Sequence, residues 1–241
     1  MKDVHIGCSS FYNRKWSGIF YPEDLPSKDW FRFYANQFKT FEINATFYKF
    51  PTLRIMQNWY DRSPSGFLYS IKAPKIITHL KRFEDCKDEL SQFYRICKDG
   101  LAEKLGCLLF QLPPSFSYDE NRLQLILSQL DNSFTNVVEF RNETWWRDDV
   151  KQAFSDRNIV FCSVSYPKLP DEISVTNNTT YLRLHGKPRL FYSEYDSSEL
   201  QKFYDRLPES GKSFVYFNNT ASEAGIKNAL ELLERLNSDS N

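Results

Sequence analysis

Short extended segments in which apolar and polar positions alternate recur along the chain, and between most of them apolar residues fall at helical spacing. The clearest extended segment opens residues 136–146. Val137, Val138 and Phe140 favour a buried strand, while Glu139 and Arg141 stand two residues apart and share a face. The same arrangement returns at 40–44 with Glu42 and Asn44, at 67–72 with Ser70 and Lys72, and at 181–185 with Arg183 and His185. Runs at 4–8, 107–112, 159–164 and 213–218 complete the set. A strand apolar on one side and charged on the other, followed at once by a turn, suits a parallel barrel that delivers charge to its mouth.

Helical periodicity covers 28–38, with Ser27 as its N-cap, then 53–60, 86–104 with a break near Gly100, 121–130, 148–157, 197–207 and 224–236. Residues 166–178 are rich in Pro and Asn and show no such pattern. Alternating strands and helices predict an α/β fold, a single (β/α)8 TIM-type barrel in which an irregular loop replaces one helix between strands six and seven. An open doubly wound sheet is the alternative, but the chain has neither G-x-G-x-x-G nor a Walker A sequence to mark a nucleotide crevice.

At 241 residues, with 41% hydrophobic and 17% aromatic content, the chain suits one barrel domain spanning 1–241. Lys plus Arg balance Asp plus Glu at 31 each, so no bulk field gathers polyanions and any anion specificity must be local. Five cysteines without a C-x-x-C pair argue against a disulfide framework or a zinc knot and fit the cytoplasm. No apolar run approaches a membrane span, and no membrane partner is expected.

On a barrel all strand exits converge on one face. Cys8, Lys72, Arg141 and His185 end the odd strands, Asn44, Gln111 and Asn218 end even ones, and Glu42, Glu139 and Arg183 lie one layer deeper. Buried charge costs several kcal/mol unless paired, so this interior must pair its charges or give some to a ligand. Forked guanidinium groups supported by a lysine suit carboxylate or phosphate. The expected ligand is therefore a small anionic, phosphorylated or sugar-like molecule held by Lys72, Arg141 and Arg183, with Asn44, Gln111 and Asn218 beside them. Glu139 is the expected general base, with Glu42 or His185 as acid. A purely structural Glu139–Arg183 pair is the competing reading, and a buried inert thiol outweighs a nucleophilic Cys8. Trp16, Phe47, Tyr48, Trp145 and Trp146 fall in loops that follow strands and are candidate stacking walls, with packing over the barrel as the plain alternative.

Only three histidines, His5, His79 and His185, are available, and strands six and eight end in Ser163 or Ser165 and Asn218. A transition-metal shell is hard to assemble from these, so the expected enzyme uses no metal and no cofactor. A binding or maturation factor for nucleic acid or an anionic metabolite is the alternative from another class. A metal-dependent nuclease or isomerase comes third.

Taken in order, Ile6-Gly7-Cys8-Ser9-Ser10, Trp16-Ser17-Gly18, Glu42-Ile43-Asn44-Ala45-Thr46-Phe47-Tyr48, Ser70-Ile71-Lys72-Ala73-Pro74-Lys75, Phe110-Gln111-Leu112-Pro113-Pro114-Ser115-Phe116, Glu139-Phe140-Arg141-Asn142, Tyr181-Leu182-Arg183-Leu184-His185-Gly186 and Tyr216-Phe217-Asn218-Asn219-Thr220 form a pattern that resembles the YecE-like family, long filed as a domain of unknown function. The resemblance implies a TIM-type barrel with an irregular region in place of one helix. It implies no established reaction.

Overall fold

The computed structural model describes residues 2–238. Its strands are β1 Asp3–Cys8, β2 Thr40–Ile43, β3 Leu68–Lys72, β4 Leu105–Gln111, β5 Asn136–Glu139, β6 Val160–Phe161, β7 Ser163–Ser165, β8 Thr179–Leu184 and β9 Lys212–Phe217. All ladders are parallel and form two sheets, β2-β3-β4-β5-β6 and β1-β9-β8-β7. The helices are α1 Trp30–Gln37, α2 Ala45–Tyr48, α3 Leu53–Arg62, α4 Lys87–Leu101, α5 Glu120–Gln129, α6 Asp148–Asp156, α7 Ser197–Arg206 and α8 Ala224–Ser238. Residues 166–178 carry no helix, as their Pro- and Asn-rich sequence predicts.

Eight strand runs were expected and nine strands are found, because the sixth run divides at Cys162. Val160 and Phe161 pair with β5, the Cys162 N–H still donates to Val138 O at 2.9 Å, and Ser163–Ser165 then turns to pair with β8. One continuous stretch therefore serves both sheets. Between β1 and β2, which no ladder joins, the Tyr34 hydroxyl of α1 accepts from Cys8 N at 2.7 Å and donates to Thr40 O at 3.0 Å. A side chain on Gly7 would put Cβ 2.5 Å from that same Thr40 oxygen, so glycine permits the approach.

Strand alternation sorts the apolar residues into two cores. Cys107, Leu109, Val137, Val160, Cys162, Val164, Tyr181, Phe214 and Tyr216, drawn from both sheets, pack together. Their neighbours in sequence, such as Leu108, Phe110, Val138, Phe161, Leu182 and Val215, join the larger core with the helices. Polar bonds also tie the sheets: the Tyr216 hydroxyl meets Ser70 Oγ at 2.9 Å and also contacts Thr40 Oγ1.

Two local expectations need correction. Helix α1 starts at Trp30 after a 3-10 turn at Ser27–Asp29, with no side-chain cap. The stretch after β2, expected as a plain loop, holds the short helix α2. The break expected near Gly100 falls where α4 ends at Leu101 and a 3-10 turn follows at Ala102–Lys104; a Cβ on Gly100 would lie 2.3 Å from Met56 Cβ, so this glycine also lets α3 and α4 touch.

Candidate active site

Arg183 on β8 is almost fully buried and forms the centre of the charged layer. Its Nε donates to Glu42 Oε2 at 2.9 Å and its Nη2 to Glu42 Oε1 at 2.7 Å, a two-point fork from β8 to β2. Nη1 pairs with Glu139 Oε2 from β5, and Nη2 also reaches Asn218 Oδ1 at 2.7 Å. The Tyr181 hydroxyl adds a bond to Glu42 Oε2 at 2.8 Å, and Asn44 Nδ2 donates to Glu42 Oε1 at 3.1 Å. Both carboxylates are thus dry but well paired, the condition under which buried ions persist.

Arg141, just past β5, pairs through Nε with Glu139 Oε1 and lies over the Tyr166 ring, 4.1 Å from its centroid. Burial alone would raise the Glu139 pKa, but Arg141, Arg183 and Lys72 outweigh it and hold the carboxyl below its ordinary value. A carboxylate so engaged is a weak proton acceptor and a firm anchor for two guanidinium groups. The sequence-expected base is therefore placed beneath the site, with Glu42, rather than facing the opening.

His185 Nε2 lies 3.0 Å from Arg141 Nη2. Arginine can only donate, so Nε2 accepts and the proton sits on Nδ1, which has no hydrogen-bond partner among the described residues. Burial, then the neighbouring Arg141, Arg183 and Lys72, push the His185 pKa well below its usual value. The imidazole is neutral near pH 7, and its N–H is a buried donor.

Lys72 ends β3. Its Nζ donates to Gln111 Oε1 at 2.9 Å and stands 4.3 Å from the Phe47 ring centroid. Among the described residues no carboxylate comes within ion-pair distance of it. Burial and Arg183 lower its pKa to about 8, against the opposing pull of Glu139 and Glu42. Helix α2 sets the local geometry, because Thr46 Oγ1 donates to Lys72 O at 2.6 Å and so fixes Phe47 beside the amine.

These residues open onto a cavity of about 590 Å³ lined by Asn44, Lys72, Gln111, Arg141, Arg183, His185 and Asn218, with Phe47, Tyr48, Tyr166, Phe191 and Tyr192 at its sides. A larger hollow, about 680 Å³, lies at the strands' N-terminal ends near Asp3, Leu68, Thr179 and Lys212. Size does not decide between them; the first alone gathers the buried ion network. Of the sequence-chosen aromatics Phe47 and Tyr48 line the mouth, Tyr48 76% exposed. Trp16 and Trp145 are buried instead. Trp16 Nε1 donates to Ser222 O at 3.0 Å, and Trp145 stacks on Phe140 at 4.1 Å while its Nε1 donates to Phe116 O at 2.7 Å. Sequence reasoning missed Tyr166, Phe191 and Tyr192, which sit in irregular loops where no periodicity assigns a direction. Tyr181 could have been found, since it alternates in phase with Arg183 and His185.

Among the described residues no group of three or more His, Cys, Asp or Glu side chains is arranged to hold a metal ion. Nor is any helix long and apolar enough to cross a membrane.

A family model described as "Protein of unknown function DUF72" matches residues 5–241. The UPF0759 protein YunF of Bacillus subtilis (strain 168) is 22% identical over 256 residues, covering 90% of this chain and 89% of that protein. Among solved structures, a DUF72 family protein from Thermotoga maritima MSB8 aligns with a TM-score of 0.87 at 25% identity, over 97% of this chain and 99% of that one. A DUF72 family protein from Enterococcus faecalis V583 aligns with a TM-score of 0.78 at 21% identity, over 98% of each chain.

Proposed function

The chain belongs to the DUF72 family, proteins of unknown function with a shared α/β fold of parallel sheets and helices, and from that premise we propose that it is an enzyme acting on a small anionic substrate at the strands' C-terminal ends. The observation that carries this reading is a charge imbalance. Glu42 and Glu139 are matched by Arg183 and Arg141, which leaves the Lys72 ammonium as excess positive charge beside an open cavity. An anion seated there would meet Lys72 and the remaining Arg141 donors, with Asn218, Gln111 and Asn44 at its flanks. Neutral His185 would orient Arg141 by accepting from its Nη2, and the two carboxylates would act by fixing the guanidinium groups. Turnover by these groups needs no metal.

The same reading treats the two sheets as one closed (β/α)8 barrel in a single domain. The run through Cys162 and the Tyr34 hydroxyl support closure at the two places where the ladders part. Five free, buried thiols suit a reducing cytoplasm.

Thermal unfolding with inorganic phosphate, sulfate and simple carboxylates tests the anion site. Tm should rise with ligand, on the order of 2.7 kcal/mol of stabilisation at a hundred times Kd. The rise should vanish in Lys72→Gln and in Arg141→Ala, each compared with its own ligand-free baseline. An equal rise in both variants would overturn the reading.

A further inference from the structure

We propose that Lys72 is a covalent nucleophile, forming an imine with an aldehyde or ketone substrate whose anionic group is held by Arg141. This rests on the anion site described above and adds a carbonyl to the substrate's chemistry. Three features of the geometry support it. Lys72 lines the cavity and is only partly buried, so a ligand can approach it. Its polar contact is a neutral amide oxygen, Gln111 Oε1 at 2.9 Å, and the Phe47 ring lies on another side, so no carboxylate fixes it as a permanent ammonium. Arg141, also on the cavity, is the forked group through which a carboxylate or phosphate can be held while the carbonyl meets the amine. Burial and the nearby Arg183 bring the amine to about 8, so a sizeable fraction is nucleophilic near neutral pH.

The step balances without any co-reactant. The ammonium first sheds one proton, and the nitrogen lone pair forms a bond to the carbonyl carbon as the C=O π pair moves to oxygen. That oxygen takes up a proton to give a carbinolamine. A second proton passes from nitrogen to the hydroxyl, the C–O bond breaks, water leaves, and the nitrogen pair closes the C=N bond. Counted from the ammonium, nitrogen loses two protons and both depart in the water, so the positive charge stays on the iminium nitrogen. The Gln111 Oε1 acceptor that held the ammonium can hold the iminium N–H.

The test uses the full chain with pyruvate as the probe and cyanoborohydride to trap the imine, followed by intact mass and peptide mapping. One N-(1-carboxyethyl) adduct on Lys72 is expected, well ahead of any surface lysine. Its trapping rate should rise roughly tenfold between pH 7 and 9, the increase in free amine for a group near 8, whereas an ordinary lysine would show roughly a hundredfold. Lys72→Arg should lose the adduct and keep the phosphate-dependent rise in Tm, and Lys72→Met should lose both. Adducts spread over surface lysines, or none on Lys72 while phosphate still raises Tm, would overturn the imine and leave the anion site standing. Loss of the phosphate effect in the unaltered protein would remove the anion site itself.

Discussion

The Arg183 guanidinium meets the Glu42 carboxylate in a two-point fork, Nε to Oε2 at 2.9 Å and Nη2 to Oε1 at 2.7 Å, with both side chains shut off from solvent. Because β8 and β2 belong to different sheets, this one contact ties the two halves of the molecule across their interior. Removing one partner of such a pair costs far more than the pair contributes, since the other charge is then stranded. Glu42→Gln is therefore expected to lower stability by about 3–5 kcal/mol in urea unfolding. Tyr181→Phe, which deletes a single donor to the same carboxylate, should cost only about 1–3 kcal/mol. Equal losses in the two variants would contradict the ordering.

Glu139 separates anchoring from proton transfer. If it only holds Arg141 and Arg183, Glu139→Gln should destabilise the fold by about 3 kcal/mol or more and bind sulfate at least as tightly as before, because a competing negative charge has gone. Isothermal titration with sulfate alongside urea unfolding reads both effects. Unchanged stability would show that the carboxylate is not an anchor.

Lys72 predicts the pH dependence of anion binding. Its pKa is lowered to about 8, so it is charged below that pH and neutral above it. Sulfate, which does not itself titrate in this range, should bind progressively more weakly as pH rises through about 8. In Lys72→Gln the affinity should be lower and flat across the same interval.

The histidines set the acid limb. Burial, the leading cause in each case, lowers His5, His185 and His79, the last to about 4. The unfolded chain takes up protons as pH falls through about 6.5 while the folded protein does not, so stability drops with falling pH over that window. Tm should decline between pH 7 and 5, and His79→Gln should flatten part of the slope. A Tm that stays constant over this range would contradict the neutral imidazoles.

Much of the site was legible because strand alternation leaves no choice of direction. Once Val138 and Phe140 pack outward, Glu139 must point in, and the same logic placed Glu42, Lys72, Gln111, Arg183 and Asn218. Their pairing was not legible. Glu42 and Glu139 are both within reach of Arg183, and only sheet geometry gives the fork to one and a single contact to the other. For the loop tryptophans the sequence leaves stacking wall and packing open because a turn residue has no periodicity, and the fold takes the second: both Trp16 and Trp145 place their N–H on a carbonyl inside it. The division at Cys162 was hidden as well, since that residue continues the apolar run without interruption.

The Tyr34 hydroxyl bears on how the protein can vary. Backbone ladder bonds are indifferent to which residues flank them, so mutation rarely touches them directly. Where β1 meets β2, the link between Cys8 N–H and Thr40 C=O passes instead through one phenolic oxygen. Tyr34→Phe, a change of a single atom, should orphan both groups at a cost of about 1–3 kcal/mol and make the Cys8 amide among the first of the core to exchange with deuterium. At this position the joint between the sheets is inherited through a side chain, and drift in one codon can undo it.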